Sequence, residues 1–149
     1  MILSNSEIKD VKFGKNVKVV NPVNLYGCSI QDSSFVGPFV EVQKNVQIGK
    51  RCKIQSHSFI CEFVKIGNDC FIGHGVVFIN DKFKNGGPAM GDKSLWQKTD
   101  IGNNVSIGSN STILPVNICD NVVIGAGSVV TKNISMSGTY VGNPAKKIK

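Results

Sequence analysis

The stretch from Ile30 to Asn80 decides the fold and reads, in groups of six, IQDSSF VGPFVE VQKNVQ IGKRCK IQSHSF ICEFVK IGNDCF IGHGVV FIN. Each group opens with Ile, Val or Phe, and the fifth position of each complete group is small or β-branched. Because side chains alternate along a strand, the fifth residue and the next opener point to the same side. A sustained repeat of this kind predicts a solenoid with those residues inside.

The same register continues on both sides of this stretch. Further openers stand at Ile2, Ile8, Phe13, Val19 and Leu25, and at Ile101, Ile107, Ile113, Ile118, Ile124 and Val130. Three sides of six residues close one triangular coil of 18 residues, so the 20 repeats predict about seven coils. We therefore expect an all-β chain, with short parallel strands stacked on three sides of a prism.

Four irregular steps between openers all fall at one corner of the predicted coil. The short steps are Ile8 to Phe13, Leu25 to Ile30 and Ile113 to Ile118, and the long step is Phe78 to Ile101. An arbitrary register would scatter such irregularities over all three corners. Their coincidence supports the coil and indicates that one edge of the prism is specialised.

The long step predicts a loop ejected from the prism over residues 81–100. The loop contains several glycines and a proline, which predict neither helix nor strand, and it carries Trp96, the only tryptophan. Loops of this length in a compact fold usually serve a function. The repeat ends near Thr131, so residues 132–149 are expected to form an irregular tail packed against the prism, within a single domain of residues 1–149.

Composition limits the classes of function. The net charge of +7 suits an anionic ligand, but the lysines are scattered, which does not indicate nucleic-acid binding. No apolar run approaches the ~18 residues of a membrane span, and the first residues lack a signal-peptide pattern, so we expect a cytoplasmic protein. The cysteines form no CxxC pair and are interpreted as core thiols: Cys28, Cys52, Cys61, Cys70 and Cys119.

Several segments together resemble the hexapeptide-repeat acyltransferases. They are KIQSHSFICE, IGHGVVFIND, the NGGPA loop, VSIGSNSTILP, VVIGAGSVVTKNI and YVGNPAKKI. The chain is most similar to the branch that N-acetylates amino sugars carried on nucleoside diphosphates. The resemblance implies a left-handed parallel β-helix and a homotrimer, with acetyl-CoA lying between neighbouring prisms.

Both histidines of the chain fall on one predicted corner. Residues 18 apart stack, so His74 lies over Ser56, and His57 lies one position further along the same corner. A histidine is a natural base near neutral pH, so His57 or His74 is the candidate catalytic base. The resemblance also leaves open a reaction without a dedicated base, in which the proton leaves through the sulfur of CoA.

Small residues line the same corner above the histidines, among them Ser109, Gly125, Ala126 and Gly127. A corner without bulky side chains admits a thin ligand to the backbone. The resemblance implies that this ligand is the pantetheine arm of CoA, with the thioester ending near the histidines. Four basic residues are expected either to bind the phosphates of CoA or to form a solvated tail: Lys132, Lys146 and Lys147, together with Lys149.

Polar residues gather on the next corner, at the root of the ejected loop. Glu62 is predicted to stack beneath Asn80, with Asp81 beside it. These short polar groups suit sugar hydroxyls or a reacting amine, so we expect Glu62, Asn80 and Asp81, together with Trp96, to bind the acceptor. Glu62 as the catalytic base is a less favoured alternative.

These observations and the resemblance together favour an acetyl-CoA-dependent N-acetyltransferase that acts on a nucleotide-linked amino sugar. An O-acetyltransferase with the same fold and a binding module without catalysis remain alternatives. A metal lyase is disfavoured, because carbonic anhydrases of this fold need three histidine ligands for zinc, whereas the chain has two histidines. We therefore expect no bound metal.

Overall fold

The protein folds as a parallel β-helix in a computed structural model that describes Met1 and residues 7–149. Strands of two to four residues form three sheets, one on each side of the prism. Sheet one contains β2 (Lys12–Phe13), β5 (Ser29–Ile30), β8 (Gln47–Ile48), β11 (Val64–Ile66), β14 (Thr99–Ile101) and β17 (Asn117–Ile118).

The other two sheets complete each coil. Sheet two contains β3 (Lys18–Val19), β6 (Phe35–Val36), β9 (Lys53–Ile54), β12 (Phe71–Ile72), β15 (Ser106–Ile107), β18 (Val122–Ile124), β20 (Gly138–Val141) and β21 (Lys146–Lys147). Sheet three contains β1 (Ile8–Lys9), β4 (Asn24–Tyr26), β7 (Glu41–Val42), β10 (Phe59–Ile60), β13 (Val77–Phe78), β16 (Thr112–Ile113) and β19 (Val129–Val130). The predicted all-β solenoid of about seven coils is confirmed.

The repeat register sets the strand pairing. Ile30 pairs with Ile48, which is 18 residues away, whereas Ile8 pairs with Leu25, which is 17 residues away because a short step intervenes. Each opener from Ile8 to Val130 lies in one of the strands β1 to β19. The predicted opener Ile2 lies outside the described residues.

The core is a ladder of openers and fifth-position residues. The opener Ile54 is 0% exposed, and the fifth-position residue Cys52 is also 0% exposed. Four of the five cysteines are buried and unpaired, as core thiols should be, and Cys119 is half-buried. Burial raises the pKa of Cys28 to about 11 and of Cys61 to about 12, which keeps both thiols protonated.

The ejected loop differs from the prediction in two respects. It contains a 3-10 helix over Lys93–Leu95, where the Asp92 side chain accepts a hydrogen bond from the Ser94 backbone N–H. Asp100 lies in β14, whose first residue is Thr99, so the loop ends at Lys98. The helix escaped prediction because it is one turn long and depends on a single cap.

The C-terminal tail is not irregular, and this part of the predicted fold was wrong. Ile134 bridges to Ile118 of sheet one, β20 pairs in parallel with β18, and β21 turns back antiparallel to β20. The tail thus adds another coil, in which Tyr140 takes the opener position over Ile124. The repeat was not apparent there because Ile134 follows Val130 by four residues and the next opener is aromatic.

Candidate active site

Two corners of the prism carry the predicted site residues. The histidine corner joins sheet two to sheet three and comprises residues 37–39, 55–57, 73–75, 108–110 and 125–127. The loop-root corner joins sheet three to sheet one and comprises residues 61–63 and 79–81, where the ejected loop leaves. Both corners border the outer face of sheet three.

Backbone hydrogen bonds between coils fix the columns of the histidine corner. They run from Gly75 N to Ser56 O at 3.0 Å, from Asn110 N to His74 O at 2.8 Å, and from Gly127 N to Ser109 O at 2.8 Å. His74 therefore lies over Ser56, and His57 lies in the neighbouring column, as predicted from the register. Both histidines are exposed, so their imidazoles are accessible to a ligand at this corner.

His57 is oriented by an aromatic neighbour one coil below. The rings of Phe39 and His57 stack with centroids 4.9 Å apart and an interplanar angle of 29°. Both residues adopt left-handed backbone conformations, with φ of 61° and 63°. The stacking limits the rotation of the imidazole while leaving the ring exposed, which suits a group that must meet a ligand in one orientation.

The glycines of the histidine corner have two different roles. A Cβ on Gly108 would collide with the backbone of Ala126, and a Cβ on Gly125 would lie 2.5 Å from Val141 Cγ1. Those glycines are explained by coil stacking, without any ligand. A Cβ on Gly127, at φ +69°, would meet nothing within 4 Å, so Ala126 and Gly127 form the open part of the surface predicted for CoA.

The tail covers the upper end of the histidine corner. Gly142 N donates to Ser128 Oγ at 3.1 Å, and Ala145 N donates to Val129 O at 2.8 Å. Residues 142–145 therefore turn over this corner, and β21 carries Lys146 and Lys147 back beside it. Lys132 follows β19 at the opposite end of sheet three, so the structure does not place it with the other two lysines.

A buried carboxylate is the main feature of the loop-root corner. Glu62 is 7% exposed, and its carboxylate oxygens accept hydrogen bonds from Lys93 Nζ at 2.9 and 3.0 Å. Asn80 Nδ2 donates to the backbone oxygen of Glu62 at 3.2 Å, which confirms that Asn80 stacks above Glu62. A buried charge needs a partner, and Lys93 supplies it here.

Lys93 and Trp96 approach this carboxylate from the loop. Lys93 Nζ lies 5.4 Å from the centroid of the Trp96 ring, which packs edge-on against Phe63. The hydrogen bond to Glu62 raises the pKa of Lys93 above its usual range. Lys93 was not predicted from sequence, because a loop residue 31 positions from Glu62 has no register relationship with it.

Asp81 orders the loop. Its two carboxylate oxygens accept hydrogen bonds from the backbone N–H groups of Phe83, at 2.9 Å, and Ala89, at 2.7 Å. Asn80 O accepts a further bond from Gln97 N at 2.9 Å, which ties together the two ends of the loop. These bonds favour a structural role for Asp81, and its role in acceptor binding remains a prediction.

A groove of about 420 Å³ runs between the loop and the outer face of sheet three. Its lining includes Phe59, Val77, Asn80 and Trp96, with Gln43 among its polar residues. Gln43 accepts a bond from Glu62 N at 3.2 Å and donates to Glu41 at 3.1 Å. The groove thus combines apolar walls with hydrogen-bonding groups, which is the usual composition of a small-molecule site.

A larger depression of about 620 Å³ lies on sheet one and includes Lys65, Asp100 and Asn117. None of the residues that line it is a predicted site residue. We favour the smaller groove as the acceptor site, because it adjoins a buried carboxylate and the only tryptophan.

The histidines and Glu62 lie on two different corners of the chain. His57 and Glu62 are five positions apart and flank β10, and an extended chain of that length spans up to ~17 Å. A reaction that uses both corners therefore needs a ligand lying across sheet three, or the corner of a neighbouring copy. Among the described residues, no group of three or more His, Cys, Asp or Glu is placed to hold a metal ion, and no helix is long and apolar enough to cross a membrane.

Comparison with known proteins finds the same repeat. The profile "Bacterial transferase hexapeptide (six repeats)" matches residues 27–62, and "Hexapeptide repeat of succinyl-transferase" matches residues 98–132. The bifunctional protein GlmU of Streptococcus uberis is 35% identical over 151 aligned positions, which cover 100% of this chain and 30% of that protein. The chain thus spans less than a third of the length of this curated relative.

Solved structures share the fold. A galactoside acetyltransferase in complex with coenzyme A superposes with a TM-score of 0.67 at 28% identity, over 95% of this chain and 64% of that one. A GDP-perosamine N-acetyl transferase from Caulobacter crescentus, in complex with CoA and GDP-perosamine, has a TM-score of 0.64 at 17% identity, over 97% of this chain and 58% of that one. The second likeness shows the fold alone.

Proposed function

Because this chain belongs to the hexapeptide-repeat transferase family, we propose that it is an acetyl-CoA-dependent N-acetyltransferase. The acceptor is the amino group of a sugar linked to a nucleoside diphosphate. One observation carries the proposal: a corner open to a thin ligand, with exposed His57 and His74, borders the same sheet face as a groove that adjoins a buried carboxylate.

The histidine corner is the cofactor side of the site. Ala126 and Gly127 leave the backbone accessible, so the pantetheine arm lies along this corner with its thioester toward the histidines. Lys146 and Lys147 lie beside the upper end of the corner and offer their ammonium groups to the phosphates of CoA. The solved complex of a galactoside acetyltransferase with coenzyme A supports this cofactor.

The groove at the loop root is the acceptor side. Asn80 and Gln43 offer amide groups to sugar hydroxyls, and Trp96 offers an aromatic wall. The segments IGHGVVFIND and YVGNPAKKI, which resemble N-acetyltransferases of nucleotide-linked amino sugars, support this class of acceptor. Lys132, on the loop-root side of sheet three, belongs to neither subsite in this proposal.

The reaction is transfer of an acetyl group from sulfur to nitrogen. The unprotonated amine attacks the thioester carbonyl carbon, a C–N bond forms, and the C–S bond breaks to release CoA. One proton leaves the nitrogen, and the thiolate takes up one proton to become the thiol. His57 or His74 accepts the first proton and returns it to the sulfur, while backbone N–H groups stabilise the oxyanion.

We propose that the active form is a homotrimer in the cytoplasm, with each site formed between two copies. The separation of the histidine corner from Glu62 within one chain supports a shared site, because the corner of one copy can meet the groove of the next. Acetyl-CoA and the nucleotide sugar would then enter the same interface from opposite ends.

Turnover by single variants tests the base. His57→Asn and His74→Asn are assayed by release of free CoA, with nucleotide-linked amino sugars as acceptors. We expect the variant that lacks the base to lose at least ~100-fold in kcat, with unchanged affinity for acetyl-CoA. Near-normal kcat in both variants would remove the histidines from the mechanism and favour direct proton loss to the CoA sulfur.

An O-acetyltransferase is the second candidate, because a galactoside acetyltransferase is among the similar structures. The same assay, offered matched acceptors that carry an amino or a hydroxyl group at one position, separates the two. Faster turnover of the hydroxyl acceptor would replace N-acetylation as the proposed reaction.

A further inference from the structure

We propose that Glu62 and Trp96 form a recognition site for a primary ammonium group, and that Lys93 occupies this site until the amino group of the acceptor displaces it. The inference rests on the proposed function in one respect, which is that the acceptor is an amine. It adds a named site for that amine and a residue of the chain itself that competes for it.

The carboxylate belongs to the rigid part of the molecule. The Glu62 side chain is 9% exposed, and its backbone is held by Gln43 from below and by Asn80 from above. Such a group is pre-organised, because neither the corner that carries it nor its backbone hydrogen bonds need to change when a ligand arrives.

The cation lies on the ejected loop and is partly exposed to solvent. Lys93 extends from the one-turn helix of the ejected loop, and its side chain is 43% exposed. A lysine that is already partly hydrated can return its ammonium to water with little penalty, whereas an unpaired buried carboxylate is strongly unfavourable. The state in which Lys93 pairs with Glu62 therefore predominates until another cation takes the place of Lys93.

The surroundings of Lys93 Nζ match an ammonium ion. Two carboxylate oxygens lie 2.9 and 3.0 Å away, and the indole ring of Trp96 lies 5.4 Å away. A carboxylate and an aromatic face together recognise an ammonium by charge-assisted hydrogen bonds and cation–π attraction. The protonated amine of an amino sugar has the same charge and the same three N–H donors.

This arrangement predicts a preference for amines over alcohols. A sugar hydroxyl carries no charge, so it cannot replace Lys93 without leaving the buried carboxylate unpaired. The adjoining groove contains Asn80 and Trp96 and has room for the sugar ring. After binding, the ammonium releases one proton to water, which leaves a neutral nitrogen. That nitrogen attacks the thioester carbonyl and loses its second proton to the base, which passes it to the sulfur of the departing CoA.

Direct binding tests the site without catalysis. Trp96 is the only tryptophan, so its fluorescence reports ligands that reach the ammonium site. The probes are glucosamine and glucose, titrated without acetyl-CoA into the wild type and into Lys93→Met. Lys82→Met is the matched control, because Lys82 is an exposed lysine of the same loop.

We expect Lys93→Met to bind glucosamine at least ~10-fold more tightly than the wild type, because a site open a tenth of the time loses about tenfold in apparent affinity. Lys82→Met should match the wild type, and glucose should bind no variant more tightly. The double variant Glu62→Gln/Lys93→Met removes both charges and should lose the tighter binding of glucosamine. It also leaves no unpaired charge to unfold the protein.

Two results would overturn the proposal. Equal or weaker binding of glucosamine to Lys93→Met would show that Lys93 is a latch or a ligand contact and not a competitor. If the double variant bound glucosamine as tightly as Lys93→Met does, Glu62 would not be the group that recognises the ammonium. Neither result depends on acetyl transfer, so turnover of amino sugars by the wild type would leave the proposed function intact in both cases.

Discussion

The ring of Phe39 stacks on the imidazole of His57, with ring centroids 4.9 Å apart. Phe39 is 57% exposed and has φ +61°, so its ring is poorly buried and its backbone lies in a region that disfavours side chains. Higher positions of the same column are occupied by Gly75, Asn110 and Gly127, which tolerate this backbone conformation. Local stability alone does not explain a phenylalanine here, whereas orientation of His57 does.

Replacing Phe39 should therefore separate stability from activity. Because Asn is better suited to this conformation, Phe39→Asn should leave the free energy of unfolding unchanged or raise it by up to ~1 kcal/mol. If His57 is the base, kcat should fall roughly 10-fold or more through misorientation of the imidazole. Phe39→Tyr keeps the ring and should retain kcat and the pH profile. Loss of kcat in both variants, or in neither, would contradict a positioning role.

A buried hydroxyl offers a second test, on stability. Thr99 is 1% exposed, and its Oγ1 lacks a hydrogen-bond partner among the described residues. It pairs with Val64 in the inward-facing column of sheet one. Thr99→Val removes an unsatisfied donor while keeping the shape, so we expect a gain of about 1 kcal/mol in urea unfolding. The control is Thr112→Val, on the half-buried outer face of sheet three, which should change stability far less. A lower free energy of unfolding in Thr99→Val would contradict this account.

The contacts that depend on the spacing of the repeat could be predicted from the sequence. Strand pairing, the stacking of His74 on Ser56 and the stacking of Asn80 on Glu62 all follow from a fixed number of residues per coil. The contact between Glu62 and Lys93 could not be predicted, because it depends on the path of a loop with no repeat. The last coil was not predicted for a related reason. Ile134 and Tyr140 do not follow the spacing of the repeat, so their strand pairing depends on tertiary packing.

The pH dependence of stability tests the Lys93 contact. The hydrogen bond to Glu62 raises the pKa of Lys93 in the folded state. The contact therefore stabilises the fold fully below the unfolded lysine pKa of about 10.4, and this stabilisation is lost as the pH rises through the raised folded value. We expect the melting temperature of Lys93→Met to lie below that of the wild type by a constant difference at pH 7 to ~9.5. This difference should vanish at higher pH.

Lys82→Met is again the control. Its melting temperature, measured by circular dichroism, should equal that of the wild type at every pH. A difference between Lys93→Met and the wild type that persists unchanged above the folded pKa of Lys93 would contradict the assignment, because deprotonated Lys93 no longer pairs with Glu62.

The distance between the two corners predicts complementation between copies of the chain. His57 and Glu62 lie at opposite ends of one side of the coil, so a site that needs both is formed across an interface if the protein is a trimer. The double variant His57→Asn/His74→Asn and the single variant Glu62→Gln should each be inactive as pure proteins. Mixed trimers from coexpression at equal levels should regain about a quarter of wild-type turnover, because one interface in four then joins two intact corners.

If each chain forms its site alone, no mixture restores activity, since every chain lacks one of the two groups. Coexpression of the double variant His57→Asn/His74→Asn with a second copy of the same double variant provides the control, because no interface in those trimers contains an intact histidine corner.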